Sequence, residues 1–235
     1  MISFRQASFA YRAGEPVLSG IDLEIGAGLT LLVGPNGCGK SSLLKLAAGV
    51  EEPDAGRVEI DGKDLWIEEV EARRSLAYVP EQPDLTPYAT VREILALVAR
   101  LRGASRESGE ETLELVGLRH LAHRSVRELS MGQRRRAVLA VARIGTPRHL
   151  LLDEPLEAMD RGARDDILAW IDCLVAAGAS VVVVSHDIEP FAARAARALT
   201  VRDGHSLSVD PLPASPDERM LLLERLARGE AAAAS

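Results

Sequence analysis

The sequence predicts an α/β fold: a core of strands and helices with a partly antiparallel, strand-rich opening, interrupted by a mostly helical insertion over roughly 84–145. Three observations predict it. Short β-type runs alternate with turns through the first third, the apolar period becomes helical from Thr90, and strand character returns at "HLLLDEP" to alternate with helix. A length of 235 residues suits one large α/β domain or a core with a subdomain, and 47% hydrophobic with 27% charged residues is the balance of a soluble globular chain.

In order, "SFRQASFAY", "VLSGIDLEI" and "LTLLVG" read as strands, and "GRVEIDGKDL" follows the turn signal "EEPDAG". A helix is expected from about Lys40 to Ala48. In the insertion, "TVREILALVARLRG" opens at Thr90 with Glu93 three residues on, a capping box that occupies free N–H groups of the first turn, and closes at Gly103. Two more helical stretches, "ESGEETLELVGL" and "SMGQRRRAVLAVARIG", complete it. The later core reads as strand "HLLLD", helix "RDDILAWIDCLVAA", strand "SVVVVSH" and strand "ALTVRDG". A core of residues 1–83 and 146–210 is thus expected, then over 211–235 a hinge "DPLPASP", an amphipathic helix "DERMLLLERLARG" and an alanine tail. The apolar face of that helix is expected to pack on its own core.

Composition excludes several function classes. A net charge of -7 repels phosphate backbones and 3% aromatic residues leave few stacking platforms, so nucleic acid is not an expected partner. Two cysteines, Cys38 and Cys173, are too few for a disulfide framework, and "MISFRQASFAYRAGEP" carries no secretory apolar stretch, which points to a cytoplasmic setting. Residues 167–185, "ILAWIDCLVAAGASVVVVS", imitate a membrane span, but Asp172 and Gly178 interrupt the run. They are expected to form helix, glycine turn and buried strand.

Chemistry concentrates at "GPNGCGKSS", between a strand and a helix. Gly34, Gly37 and Gly39, with Asn36 and Cys38 between them, let the backbone curl with its N–H groups inward, and the following helix adds its positive end. This is the pattern G-x-x-x-x-G-K-S, in which Lys40 reaches the β- and γ-phosphates of a nucleotide, Ser41 offers its hydroxyl to Mg²⁺ and Ser42 touches the α-phosphate. The run "HLLLDEP" ends a buried strand in two carboxylates. Asp153 suits the magnesium shell and Glu154 a general base toward water, whereas Asp165 and Asp166 read as a solvated helix face.

With these in place the chain, from about residue 2 to 210, resembles the nucleotide-binding subunit of ATP-binding cassette (ABC) transporters. "LSMGQ", Leu129 to Gln133, is similar to that family's signature LSGGQ; "YVPEQ" ends in Gln82 like its Q-loop; "VVVSHD" carries His186 like its switch histidine. The resemblance implies a RecA-like P-loop NTPase core with an antiparallel β subdomain and an inserted α-helical subdomain, ATP and Mg²⁺ as ligands, and ATP hydrolysis. It further implies that Tyr11 stacks on adenine, that Asp160 belongs to the D-loop, that His186 contacts the γ-phosphate, and that Gln82 links magnesium to the helical subdomain. Ser130, Gly132 and Gln133 would meet the γ-phosphate held by a second ATPase subunit, homodimeric or sister, paired head to tail. An integral membrane permease would supply the transport pathway, placing the chain peripherally on the cytoplasmic face of the membrane.

Two departures stand out. Met131 replaces the signature's first glycine, and Leu156 with Glu157 replace small polar residues before the D-loop; neither removes a catalytic group. Taken alone, the start of "SMGQRRR" would suggest only capping and surface charge. A soluble ABC ATPase outside transport and a nucleotide-binding regulatory subunit with little turnover are the alternatives. Cys38 is a small residue that fits the loop, with redox sensing as the alternative, and bound MgATP is expected to shield it from alkylation.

Overall fold

In the computed structural model, which describes residues 1–12, 14–82 and 85–230, the chain forms two sheets, a group of helices and a closing helix. Strands β1 (Ile2–Phe9) and β2 (Leu18–Ile25) lead into β3 (Gly28–Leu32) and helix α1 (Lys40–Ala47). Next come β4 (Ala55–Ile60), β5 (Lys63–Asp64), α2 (Glu69–Arg73) and β6 (Leu76–Val79). Helices α3 (Val91–Arg102), α4 (Arg106–Leu115) and α5 (Met131–Arg143) follow, then β7 (His149–Asp153), α6 (Arg161–Ala176) and β8 (Ser180–Val184). The chain closes with α7 (Glu189–Ala192), β9 (Ala195–Arg202), β10 (His205–Val209) and α8 (Pro216–Ala227).

A four-stranded antiparallel sheet has the order β2-β1-β4-β5, and a six-stranded sheet the order β10-β9-β3-β8-β7-β6. In the second sheet only β10 runs antiparallel. Its central strands bury both faces: Leu150, Leu152, Val181 and Val183 pack with Ile167, Ile171, Leu223 and Leu226 on one side. On the other, Leu32, Leu151, Val182 and Val184 meet Leu43 and Leu44 of α1 and Phe4 and Ile25 of the antiparallel sheet. A parallel strand buried on two faces has no polar alternation, which is why "HLLLD" and "SVVVV" are nearly pure apolar runs.

The helical segment has a core of its own, built on Val91, Leu95, Leu113, Leu118, Ala137 and Ile144. Its first helix starts and stops where the sequence places it: Thr90 and Glu93 form the capping box, and Gly103 ends the helix in the left-handed conformation at φ 66°. The pseudo-membrane stretch is α6, a turn and β8, and no helix among the described residues is long and apolar enough to cross a membrane.

Several elements among the described residues escape the sequence reading. Strands β6 and β10 lie at the two edges of the larger sheet, and α2 and α7 are single turns. Strand β6 and helices α2 and α7 are too short to establish a period of their own, and β10 is the returning arm of a tight hairpin from β9. Helix α8 buries Leu223 and Leu226 in the main core, as its apolar face suggests. The alanine tail and residues 83 and 84, where the insertion was expected to begin, lie outside the described residues.

Candidate nucleotide site

Strand β3 delivers the chain into the glycine turn, and the turn delivers it into α1. Gly39 occupies the N-cap at φ 110°, with no side-chain cap and no acidic residue in the first turn. A Cβ at Gly39 would sit 3.3 Å from Leu18 and Val201, so both the positive φ and the close packing call for glycine. The result is a helix start whose N–H groups are not occupied by a side chain. They face a cleft of about 480 Å³ lined by Asn36, Gly37, Gly39, Lys40, Ser41 and Ser42, with Tyr11, Glu81, Asp153, Glu154 and His186 around the rim.

The cleft is electrostatically divided. Lys40 is buried, and its Nζ donates to the carbonyls of Gly34 at 2.8 Å and Pro35 at 2.9 Å. An ammonium has three donors, so one remains for an anion. Opposite it, Asp153 at the end of β7 lines the same cleft as the Ser41 side chain. Burial pushes the Asp153 carboxyl up, while Ser41, Arg135 and Lys40 pull it down. A hydroxyl and one carboxylate beside a phosphate cradle form a hard oxygen donor set of the kind Mg²⁺ takes alongside substrate oxygens, so these residues fit that ion.

Glu154 follows at φ 49°, a left-handed conformation that a non-glycine residue adopts only when its surroundings hold it. Its carboxylate accepts from the His186 main-chain N–H at 2.8 Å and from the Ser185 hydroxyl at 3.2 Å, and the His186 ring Nε2 is 3.8 Å away. Burial raises the Glu154 pKa, against the lowering effects of His186 and Ser185. The group is therefore poised closer to neutrality than a surface glutamate, which suits a proton acceptor.

Tyr11 projects from the end of β1, packed edge-on against Phe9 with ring centroids 4.8 Å apart. Its hydroxyl accepts from Ser42 at 3.3 Å and its ring lies 5.7 Å from the Lys45 ammonium. Gln82 is exposed, in an adjoining groove shared with Ser41, Asp153, Tyr78 and Glu81. It is therefore next to the Ser41–Asp153 pair and outside the phosphate cleft.

The remaining sequence-derived residues are elsewhere. Ser130 and Gln133 close on each other at the start of α5: Ser130 Oγ accepts from the Gln133 N–H at 3.3 Å, and Gln133 Oε1 from the Ser130 N–H at 2.9 Å. Gly132 lies against the loop after β7, where a Cβ would come within 2.8 Å of the Ala158 carbonyl. Met131 stands 60% exposed beside them. Asp160 caps α6 through the Ala163 N–H at 2.9 Å and faces a different cavity, with Trp170 and Arg143. None of these lines the cleft of its own chain.

The Cys38 thiol does not line the first cleft. Its sulfur lies where a Cβ on Gly34 would approach to 2.9 Å, beside Thr200, and the residue lines a second cavity with Leu226 and Gly229 of the C-terminal segment. Asn36 and Gly37 line both cavities, whereas Cys38 lines only the second. Two residues were missed. Glu81 lines the cleft and is signalled only by its place before Gln82. Arg135, in the "RRR" that suggested surface charge, is 2% exposed and donates to main-chain carbonyls at the ends of β6 and β7.

The family model described as "ABC transporter" matches residues 18–157, from β2 through the cradle, the signature and the Asp153–Glu154 pair. The chain belongs to the ABC transporter family. Its similarity extends to the molybdenum import ATP-binding protein of Rhodopseudomonas palustris, 38% identical over 79% of this chain and 51% of that protein. It is also 35% identical to the Fe(3+) ions import ATP-binding protein of Mesorhizobium japonicum, over 94% of this chain and 64% of the relative. An ABC transporter ATP-binding protein of Pyrococcus horikoshii is 34% identical over 87% of this chain and 81% of its own length. The chain thus spans about half of the molybdenum-import relative's length. Among solved structures, the ABC fold is matched by a dimeric bacterial ABC transporter cassette at TM-score 0.79 and 28% identity, over 89% of this chain and 98% of the cassette. The same TM-score, 0.79, relates it at 27% identity and equal coverage to a dimeric cassette in a post-hydrolysis state bound to ADP and Pi.

Proposed function

We propose that this ABC family member is the ATP-binding and ATP-hydrolysing subunit of a transporter, docked on a separate membrane permease and working as a head-to-tail pair of ATPase subunits. The observation that carries the proposal is the convergence in one cleft of an uncapped helix N-terminus, the Lys40 ammonium, the Ser41–Asp153 pair and the buried Glu154 carboxylate beside His186.

The chemistry follows from where charge lies. The N–H groups at the start of α1 and Lys40 bind and orient the phosphates of ATP. Ser41 and Asp153 would hold Mg²⁺, with Gln82 beside them, and the ion when bound supplies positive charge to the phosphate oxygens. Glu154 takes a proton from the attacking water, and His186 holds that water's position at the γ-phosphate, so ATP and water yield ADP and phosphate. Tyr11 offers its ring to the adenine. Ser130, Gly132, Gln133 and Asp160 act on the nucleotide of the other subunit, which accounts for their distance from their own cleft.

Permease docking is assigned to the groove beside Gln82, walled by Val50, Tyr78 and Pro80 and followed by the 76% exposed Tyr88. This would place the chain on the cytoplasmic face of the membrane. The import named for the curated relatives is carried over as the direction of transport. The relatives' cargoes differ, molybdenum in one and Fe(3+) in another, so the cargo is assigned to the permease.

Mg²⁺-dependent ATPase activity of the purified chain with its permease tests the reading. Turnover that disappears in Glu154→Gln while ATP still binds supports it. Nucleotide binding without turnover in the unaltered protein would support a regulatory subunit instead.

A further inference from the structure

The ladder between β6 and β7 ends at the pair Val79 and Leu152, and Pro80 has no N–H with which to continue it. Beyond that pair the two strand ends carry Glu81 and Gln82 on one side and Asp153 and Glu154 on the other. Arg135 of α5 takes over. One of its terminal nitrogens donates to the Pro80 carbonyl at 2.6 Å and to the Glu81 carbonyl, and the other donates to the carbonyls of Asp153 and Glu154. The residue is 2% exposed, so a planar buried cation stitches the strand ends where main-chain pairing has stopped.

We propose that Arg135 is a positioning residue that couples α5 and the Gln82 segment to the catalytic backbone of Glu154. Glu154 stands at φ 49°, and its carbonyl is held by Arg135 while its carboxylate is held by His186 N–H and Ser185. Removing the first restraint leaves a left-handed non-glycine residue free to relax, and the carboxylate moves with it. Because the same guanidinium holds Pro80 and Glu81, a displacement of α5 is transmitted to the Gln82 stem and to Glu154 together. Arg102 makes a comparable bridge at the other end of β6, from α3 to the Leu76 carbonyl at 3.3 Å, but touches no catalytic segment.

The inference rests on Glu154 as general base, and the test separates the two. In the full-length chain at saturating MgATP, Arg135→Lys keeps the charge and loses the fork; kcat is expected to fall by about a hundredfold. KM and the dissociation constant for ATP are expected to stay within about twofold, since the cradle is not touched. Arg135→Ala is expected to lose as much and to regain kcat with millimolar guanidinium. In the nucleotide-free protein, hydrogen exchange at residues 81–82 and 153–157 should accelerate in both variants while β3 and β9 keep their protection. Wild-type kcat in Arg135→Lys overturns the inference, as does a kcat loss that merely follows the unfolded fraction, or acceleration spread evenly over the sheet. If Glu154→Gln retains turnover, the base assignment fails instead, whatever Arg135 does. Should Arg135→Ala fail to fold, Arg135→Lys and the exchange experiment decide the matter.

Discussion

The N-termini of α1 and α5 are built in opposite ways. Helix α1 starts on a glycine with no side-chain cap and no carboxylate in its first turn, so its N–H groups are open to the cleft. Helix α5 starts on Ser130 with a reciprocal box to Gln133, so the single chain already satisfies the groups that the proposal assigns to a partner's nucleotide. An uncapped N-terminus is a standing anion site; a boxed one must release its internal bonds to become one. On the function proposed here, α1 would bind phosphate alone and α5 only where a γ-phosphate outcompetes its own cap, as a site completed by dimerisation requires.

The largest expected effect is at α1. Lys40→Ala removes the ammonium that remains for phosphate, and turnover is expected to fall by about 10²–10³-fold. Ser130→Ala is expected to leave ATP binding to the isolated monomer unchanged, as read by calorimetry. Mixing the two variants should sharpen the contrast, because a mixed head-to-tail dimer has one site carrying both lesions and one carrying neither. Activity in the mixture exceeding both parents is the expected result, and its absence would break the composite-site reading.

Gly132→Ala comes next. The new Cβ would press on the Ala158 carbonyl from 2.8 Å, and a loss of about 1–3 kcal/mol in chemical denaturation is expected. Ser130→Ala, which deletes only the cap, is expected to cost about 1 kcal/mol.

Glu154→Gln sharpens the comparison from the catalytic side. Burial raises the Glu154 pKa in the folded protein, so the wild-type group contributes stability that is full below the unfolded carboxylate value and is lost as pH rises through the folded one. The variant is therefore expected to melt higher than wild type at pH 7.5, and the gap to close as pH falls below the unfolded carboxylate value. The smallest effect is at Cys38: with its sulfur turned toward the second cavity, MgATP is expected to change its alkylation rate less than about twofold, against the shielding a cleft-facing thiol would show.

Local signals made much of this legible. Thr90, Glu93 and Gly103 bound α3 because capping chemistry lies within a few residues of the helix it bounds. The apolar runs of β7 and β8 announced a buried parallel sheet, and Asp153 and Glu154 announced themselves by ending one. Strands β6 and β10 did not: both are short edge strands, β6 paired with β7 from distant sequence and β10 the returning arm of a tight hairpin from β9. Arg135 was hidden for a related reason. A run of three arginines looks solvated until the carbonyls that receive the middle one, more than fifty residues before it and nearly twenty after it, are brought to the same point.

By itself, then, the sequence determined the longer elements, the glycine turn before α1 and the pair of carboxylates at the end of β7, because each is a matter of residue type at short spacing. The direction of the Cys38 thiol, the satisfied cap on α5, the left-handed setting of Glu154 and the clamp from Arg135 were decided only in the folded chain. Those depend on which backbone groups remain unpaired after the sheets have formed, and that remainder is a property of packing between segments far apart in the chain.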